Sequence, residues 1–87
     1  MTSILKLEDL LNLPGWNTRK KIMEELKTGP KNAYELAEKL KVNYSTIKYH
    51  LELLQRFGLV RELKRGRKSH YELTKNGLNL LEEGPIL

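Results

Sequence analysis

Two groups of side chains are equipped to grip a polyanion or the edges of bases. Tyr44, Ser45, Lys48 and Tyr49 gather two phenols, an aliphatic hydroxyl and an ammonium within six residues. Further along, Lys64-Arg65-Gly66-Arg67-Lys68 places four cations around one glycine. Hydroxyls and phenols donate to phosphates and donate to or accept from bases, and an ammonium reaches a guanine edge or a phosphate. Aromatic rings also touch thymine methyls. Arginines on a turn project toward phosphates or a minor groove.

The elements that must carry these groups are legible. Ile47, Leu51, Leu54 and Phe57 recur at intervals of four, three and three, the apolar stripe of a helix. Asn43 is its expected N-cap and Gly58 its expected C′ residue. Burying the stripe leaves Tyr44, Ser45, Lys48, Tyr49 and Glu52 on or near the outer face, with a half-buried Tyr49 as the alternative. Asn32-Ala33-Tyr34-Glu35 reads as a capping-box start for a preceding helix with Leu36, Ala37 and Leu40 inside. The small Ala37 is expected where the two helices cross closely. Leu59 to Leu63 and Ser69 to Leu73 read as strands joined by the charged turn, in which Gly66 supplies positive φ. Arg61 and Lys64 are expected to be solvated rather than engaged.

Before this unit, residues 4–13 space Ile4, Leu7, Leu10 and Leu11 as a short amphipathic helix capped by Thr2 or Ser3 and ended by Pro14-Gly15. Asn17 or Thr18 should cap a second helix with Ile22, Met23 and Leu26 inside. The run Arg19-Lys20-Lys21 near its start opposes the helix dipole; solvation is the favoured account and phosphate contact the other. Thr74 should cap a last helix bearing Leu78, Leu80 and Leu81, closed by Gly84-Pro85. The expectation is one mainly α domain over 1–87 with a two-stranded β-hairpin: N-terminal helix and connector 1–17, core 18–73, C-terminal helix 74–87.

Charge distribution sharpens the functional implication. The 87 residues carry a net +5. Residues 41–75 hold nine Lys/Arg against Glu52, Glu62 and Glu72, a net of +6, while 1–40 net +1 and 76–87 net −2. The positive excess therefore coincides with the second helix of the pair and the hairpin, which points to a polyanion. The absence of cysteine excludes disulfides and thiolate metal sites. No apolar run approaches membrane-spanning length and Lys6, Glu8 and Asp9 interrupt any signal-like start, so a cytoplasmic protein is expected. There is no phosphate-binding glycine loop or paired-carboxylate site, and neither histidine has a carboxylate and a nucleophile at motif spacing, so neither an enzyme nor a cofactor is expected. His50 is assigned to packing or hydrogen bonding, His70 to the surface or a phosphate, and Trp16 to anchoring the first helix.

The series Leu36-Ala37-x-x-Leu40-x-Val42-x-x-x-Thr46-Ile47-x-x-His50-Leu51-x-x-Leu54-x-x-x-Gly58-Leu59-Val60, with Tyr71-x-Leu73-Thr74-x-x-Gly77 after the hairpin, resembles winged helix-turn-helix transcriptional regulators. The resemblance is to the ArsR-like group and its archaeal relatives, over about residues 18–83. It implies a winged fold with extra N- and C-terminal helices, and a homodimer reading a two-fold-related site on double-stranded DNA. It also implies recognition positions at Tyr44, Ser45, Lys48 and Tyr49 and wing positions at Arg65, Arg67 and Lys68. Lys41 stands where many relatives have Gly; a left-handed slot there costs Lys about 1 kcal/mol or more, and a differently shaped turn is the alternative. Without cysteine, thiolate metal sensing is excluded and no other metal site is indicated. The terminal helices, through Ile4, Leu7, Leu11, Leu78 and Leu81 with Ile86-Leu87 beyond, either form an isologous interface or simply cover the core. A winged helix used for protein association, with the tyrosines as anchors, is the second functional reading. RNA is the weaker third, because a helix does not enter the narrow A-form major groove.

Overall fold

The computed structural model describes the backbone of residues 7–84 and the side chains from Leu10 to Gly84. The expected cap at Thr2 or Ser3, Ile4, the Leu7 side chain, Pro85 and Ile86-Leu87 lie outside the described residues. The chain runs α1 (Leu7–Asn12), α2 (Trp16–Leu26), β1 (Lys31–Asn32), α3 (Ala33–Leu40), α4 (Tyr44–Arg56), β2 (Val60–Arg65), β3 (Lys68–Leu73) and α5 (Lys75–Glu83). The sheet is antiparallel with order β1-β3-β2.

The core is assembled from the stripes read in the sequence. Ile22, Met23 and Leu26 of α2, Leu36 of α3, and Ile47, Leu51 and Leu54 of α4 meet Leu59, Val60, Tyr71 and Leu80. Trp16, Ala37 and Phe57 are partly buried against them. Three caps form as expected. The Asn32 side chain accepts from Glu35 N and the Glu35 carboxylate accepts from Asn32 N, each at 2.8 Å. Asn43 accepts from Ser45 N, and Thr74 from Gly77 N.

Three expectations are corrected. The start of α2 is Trp16, with Gly15 as its N-cap at φ 91° and no side-chain cap, so Asn17 and Thr18 lie inside the helix. Gly15 combines a left-handed backbone with tight quarters: a Cβ there would stand 2.9 Å from His50 Cε1. Arg19 is not solvated but fully buried. Its Nη1 donates to Pro14 O (3.0 Å) and contacts His50 Nδ1 (3.2 Å), and its Nη2 donates to Leu10 O (3.2 Å) and Leu13 O (2.8 Å). Guanidinium thus supplies the donors that the end of α1 lacks and ties that end to α2 and α4. Third, the hairpin has a partner strand, β1, whose two residues pair with Tyr71 and His70 of β3. Two residues carry no readable periodicity, and Gly29-Pro30 masked the pairing as a helix terminator. β3 is therefore central; His70 lies on the sheet face opposite the core-facing Tyr71, half-buried there with Nδ1 enclosed and unpartnered. Of the two alternatives at Lys41, the left-handed conformation holds (φ 59°, ψ 43°); the turn keeps the shape a glycine would give it, at a cost of about 1 kcal/mol.

Candidate nucleic-acid interface

Helix α4 presents two different polar flanks. Successive residues turn by about 100°, so burial of Ile47, His50, Leu51 and Leu54 puts Ser45, Tyr49, Glu52 and Arg56 on the opposite, outward stripe. All four are exposed, and Tyr49 at 55% exposure is clearly a surface residue. Ser45 Oγ donates its proton to Asn43 Oδ1 at 2.6 Å, which leaves the hydroxyl to act outward as an acceptor. Tyr44 and Lys48 occupy the flank that turns toward β3.

That flank borders a cleft of about 250 Å³ between the starts of α3 and α4 and the strand β3. Tyr34, Tyr44, Lys48, Arg67, Lys68 and Tyr71 contribute to its walls. The Tyr34 and Tyr44 rings stack across the helix pair, 4.5 Å between centroids at 26°. Tyr34, exposed at 69%, is a site residue that spacing does not single out; its one signal in the sequence is an aromatic ring beside a capping residue, at a position otherwise suited to a charged or amide side chain. Lys48 Nζ donates to Tyr71 Oη at 3.1 Å and lies 5.6 Å from the ring centroid. This hydrogen bond outweighs partial desolvation and raises the Lys48 pKa above its ordinary value. The ammonium charge is therefore secure at neutral pH.

The wing is a tighter hairpin than the expected five-residue turn. Arg65 and Lys68 are the last paired residues of β2 and β3, leaving Gly66 (φ 64°) and Arg67 as the connection, with glycine at the first position as a type II′ turn requires. Arg65, Arg67 and Lys68 are exposed and form no salt bridge among the described residues. Arg61, by contrast, is committed to its cross-strand neighbour Glu72. The structure thus brings Tyr44, Lys48, Arg67 and Lys68 to one cleft, sets Ser45 and Tyr49 on the adjoining outer stripe, and leaves Arg65 at the hairpin tip.

Behind α4, His50 is buried at 6% exposure. Because guanidinium only donates, its contact with Arg19 requires Nδ1 to accept and Nε2 to carry the proton. Burial, and secondarily the Arg19 charge, lower the His50 pKa. Burial likewise lowers that of Arg19, with partial compensation from Tyr49. This pair braces α4 from inside and takes no part in the exposed surface.

Of the terminal residues expected at an interface, Leu11, Leu78 and Leu81 are half-buried. None of the helices among the described residues is long and apolar enough to cross a membrane, and no cluster of His, Asp or Glu suited to a metal occurs among those residues.

A helix pair whose second member faces outward beside a β-hairpin is a winged helix-turn-helix. Residues 17–62 match the family of bacterial regulatory proteins of the arsR type, and the chain belongs to that family. It is 46% identical over 67 residues to an uncharacterized protein of Methanocaldococcus jannaschii, spanning 77% of this chain and 45% of that one. Among solved structures, the transcriptional regulator BldR from Sulfolobus solfataricus superposes with a TM-score of 0.77 at 27% identity, over 90% of this chain and 57% of that one. An ArsR-like transcriptional regulator from Rhodococcus sp. RHA1 gives 0.67 at 36% identity, over 77% of this chain and 63% of that one. The chain spans roughly half the length of these relatives.

Proposed function

We propose that this protein is a cytoplasmic, sequence-selective regulator of transcription that binds double-stranded DNA as a homodimer, with α4 in the major groove and the 64–68 wing tip on phosphates or in the adjacent minor groove. The observation that carries this reading is the cleft that Tyr44 and Lys48 of α4 share with Arg67 and Lys68 of the wing, with the exposed Ser45 and Tyr49 on the adjoining stripe of α4. A helix of this diameter fits the B-form major groove with its N-terminal residues nearest the base edges. Ser45 and Tyr49 supply hydrogen bonds there, Glu52 can accept from a cytosine amine, and Tyr44 offers ring contact. Arg65, Arg67 and Lys68 supply charge where backbone contact would be made. The membership of the chain in a family of regulatory proteins supports the regulatory part. The dimer part rests on the resemblance and on the apolar residues left at the ends, among them Leu11, Leu78 and Leu81.

Selection of bound duplexes from a random library tests the proposal. Enriched sequences should share two half-sites related by a dyad, and affinity should drop steeply as salt rises. Arg67→Ala should weaken binding to every duplex alike. Binding that ignores both salt and sequence would leave the protein-association reading in possession of the tyrosine-rich face. A monomer by sedimentation at micromolar concentration would remove the dimer.

A further inference from the structure

We infer that Lys48 seats a backbone phosphate of the bound duplex instead of reading a base, and that Tyr71 is the residue that positions it there. This rests on the reading that α4 and the wing dock on duplex DNA; it divides the labour on that face.

Three observations carry it. The first is angular. Around α4, Lys48 lies about 100° from Tyr49, about 60° from Ser45 and about 40° from Glu52, at the edge of the outward stripe that turns toward β3. The second is the tether. Tyr71 is buried to 3% exposure in the central strand of the sheet, and its hydroxyl holds Lys48 Nζ at 3.1 Å. A lysine reading guanine must extend into the groove; this one is drawn toward the wing, with two N–H donors still free. The third is the company it keeps. Arg67 and Lys68 line the same cleft, the Tyr34 and Tyr44 phenols form another part of its wall, and no carboxylate side chain is among its lining residues. Three cations in a cleft whose lining holds no carboxylate favour an anion; the one acidic group acting on Lys48, Glu52, stands a turn along α4 and outside that lining. A phosphodiester between α4 and the wing fits, because duplex DNA placed in contact with both elements must run its backbone between them.

The test uses the full chain, a preferred duplex and a random duplex, and the variants Lys48→Ala, Tyr71→Phe and their double. Lys48→Ala should weaken both duplexes by the same factor, about tenfold or more, the worth of a charge-assisted hydrogen bond. The slope of log affinity against log salt should shrink by about 0.9. Tyr71→Phe should weaken both duplexes equally and have no further effect once Lys48 is alanine, which separates positioning through Lys48 from a general loss of structure. Millimolar inorganic phosphate at constant ionic strength should leave wild-type binding unchanged; strong competition would reassign the seat to a free anion. A Lys48→Ala variant that reorders duplex preference overturns the inference, as does a Tyr71→Phe loss that persists in the alanine background, and in either case the DNA reading survives. Absence of duplex binding by the wild type removes both. Lys48 is a surface position, so its variant remains informative if Tyr71→Phe fails to fold.

Discussion

Replacing Arg19 with methionine should destabilise the domain far more than a change in a Lys/Arg run normally does. The guanidinium spends four of its five N–H donors on Leu10 O, Leu13 O, Pro14 O and His50 Nδ1, and its Nε is buried without a partner. Methionine keeps most of the apolar stem and removes the buried charge, which returns part of the desolvation cost. The acceptors remain. Leu10 O retains Leu13 N as a donor at 3.2 Å, and the part-buried Leu13 O and Pro14 O are open to replacement by water. His50 Nδ1 is the enclosed orphan, at about 1–3 kcal/mol. With the partial losses at the two carbonyls the total comes to about 2–4 kcal/mol, or a fall in Tm on the order of 10–25 °C for a domain of this size. Thermal unfolding by circular dichroism reads the size of the effect. The single tryptophan, Trp16, sits at the start of α2 and reports detachment of α1 through its fluorescence. Lys20→Met, one residue on and exposed, should stay within about 0.5 kcal/mol. An Arg19→Met protein within about 1 kcal/mol of wild type, with unchanged Trp16 emission, would refute the idea that this guanidinium staples α1 to the core.

Two further outcomes follow from the same packing. His50 is held neutral below its ordinary pKa by burial and by Arg19, so as pH falls through about 6.5 the unfolded chain takes a proton that the native state refuses. Its contribution to stability is therefore complete above that range and declines toward acid, by at most about 1.4 kcal/mol per pH unit. Wild-type unfolding between neutral and mildly acid pH should show this slope and His50→Gln should show less; equal slopes would count against it. Gly77→Ala should destabilise despite the better helix propensity of alanine, because a Cβ there would come within 2.2 Å of Leu59 O and 2.7 Å of Leu73 Cδ1. The cost should be about 1–3 kcal/mol, and a rise in Tm would show that α5 can retreat freely from the β2 entry.

Local rules wrote much of this fold into the chain. Asn32 with Glu35, Asn43 and Thr74 each start a helix through a bond spanning no more than three residues. The stripe Ile47-Leu51-Leu54 announces its buried face by spacing alone, and Gly66 marks the hairpin by the φ it permits. That spacing sets Ser45 and Tyr49 opposite the stripe and Tyr44 on its flank, while the choice between an exposed and a half-buried Tyr49 falls to the packing, which leaves it exposed. What the sequence could not disclose depends on partners distant along the chain. Arg19 resembles its neighbours Lys20 and Lys21 until Pro14-Gly15 folds back and His50, 31 residues away, arrives beside it. β1 exists only because the hairpin comes to lie against Lys31 and Asn32, and that pairing turns His70 from an edge residue into a central one. Lys48 and Tyr71 are 23 residues apart, and nothing in helical spacing foretells that one would tether the other. Hydrogen bonds and apolar periodicity within a turn or two are encoded locally; the fate of a buried cation or a tethered ammonium is settled by which distant surfaces close around it.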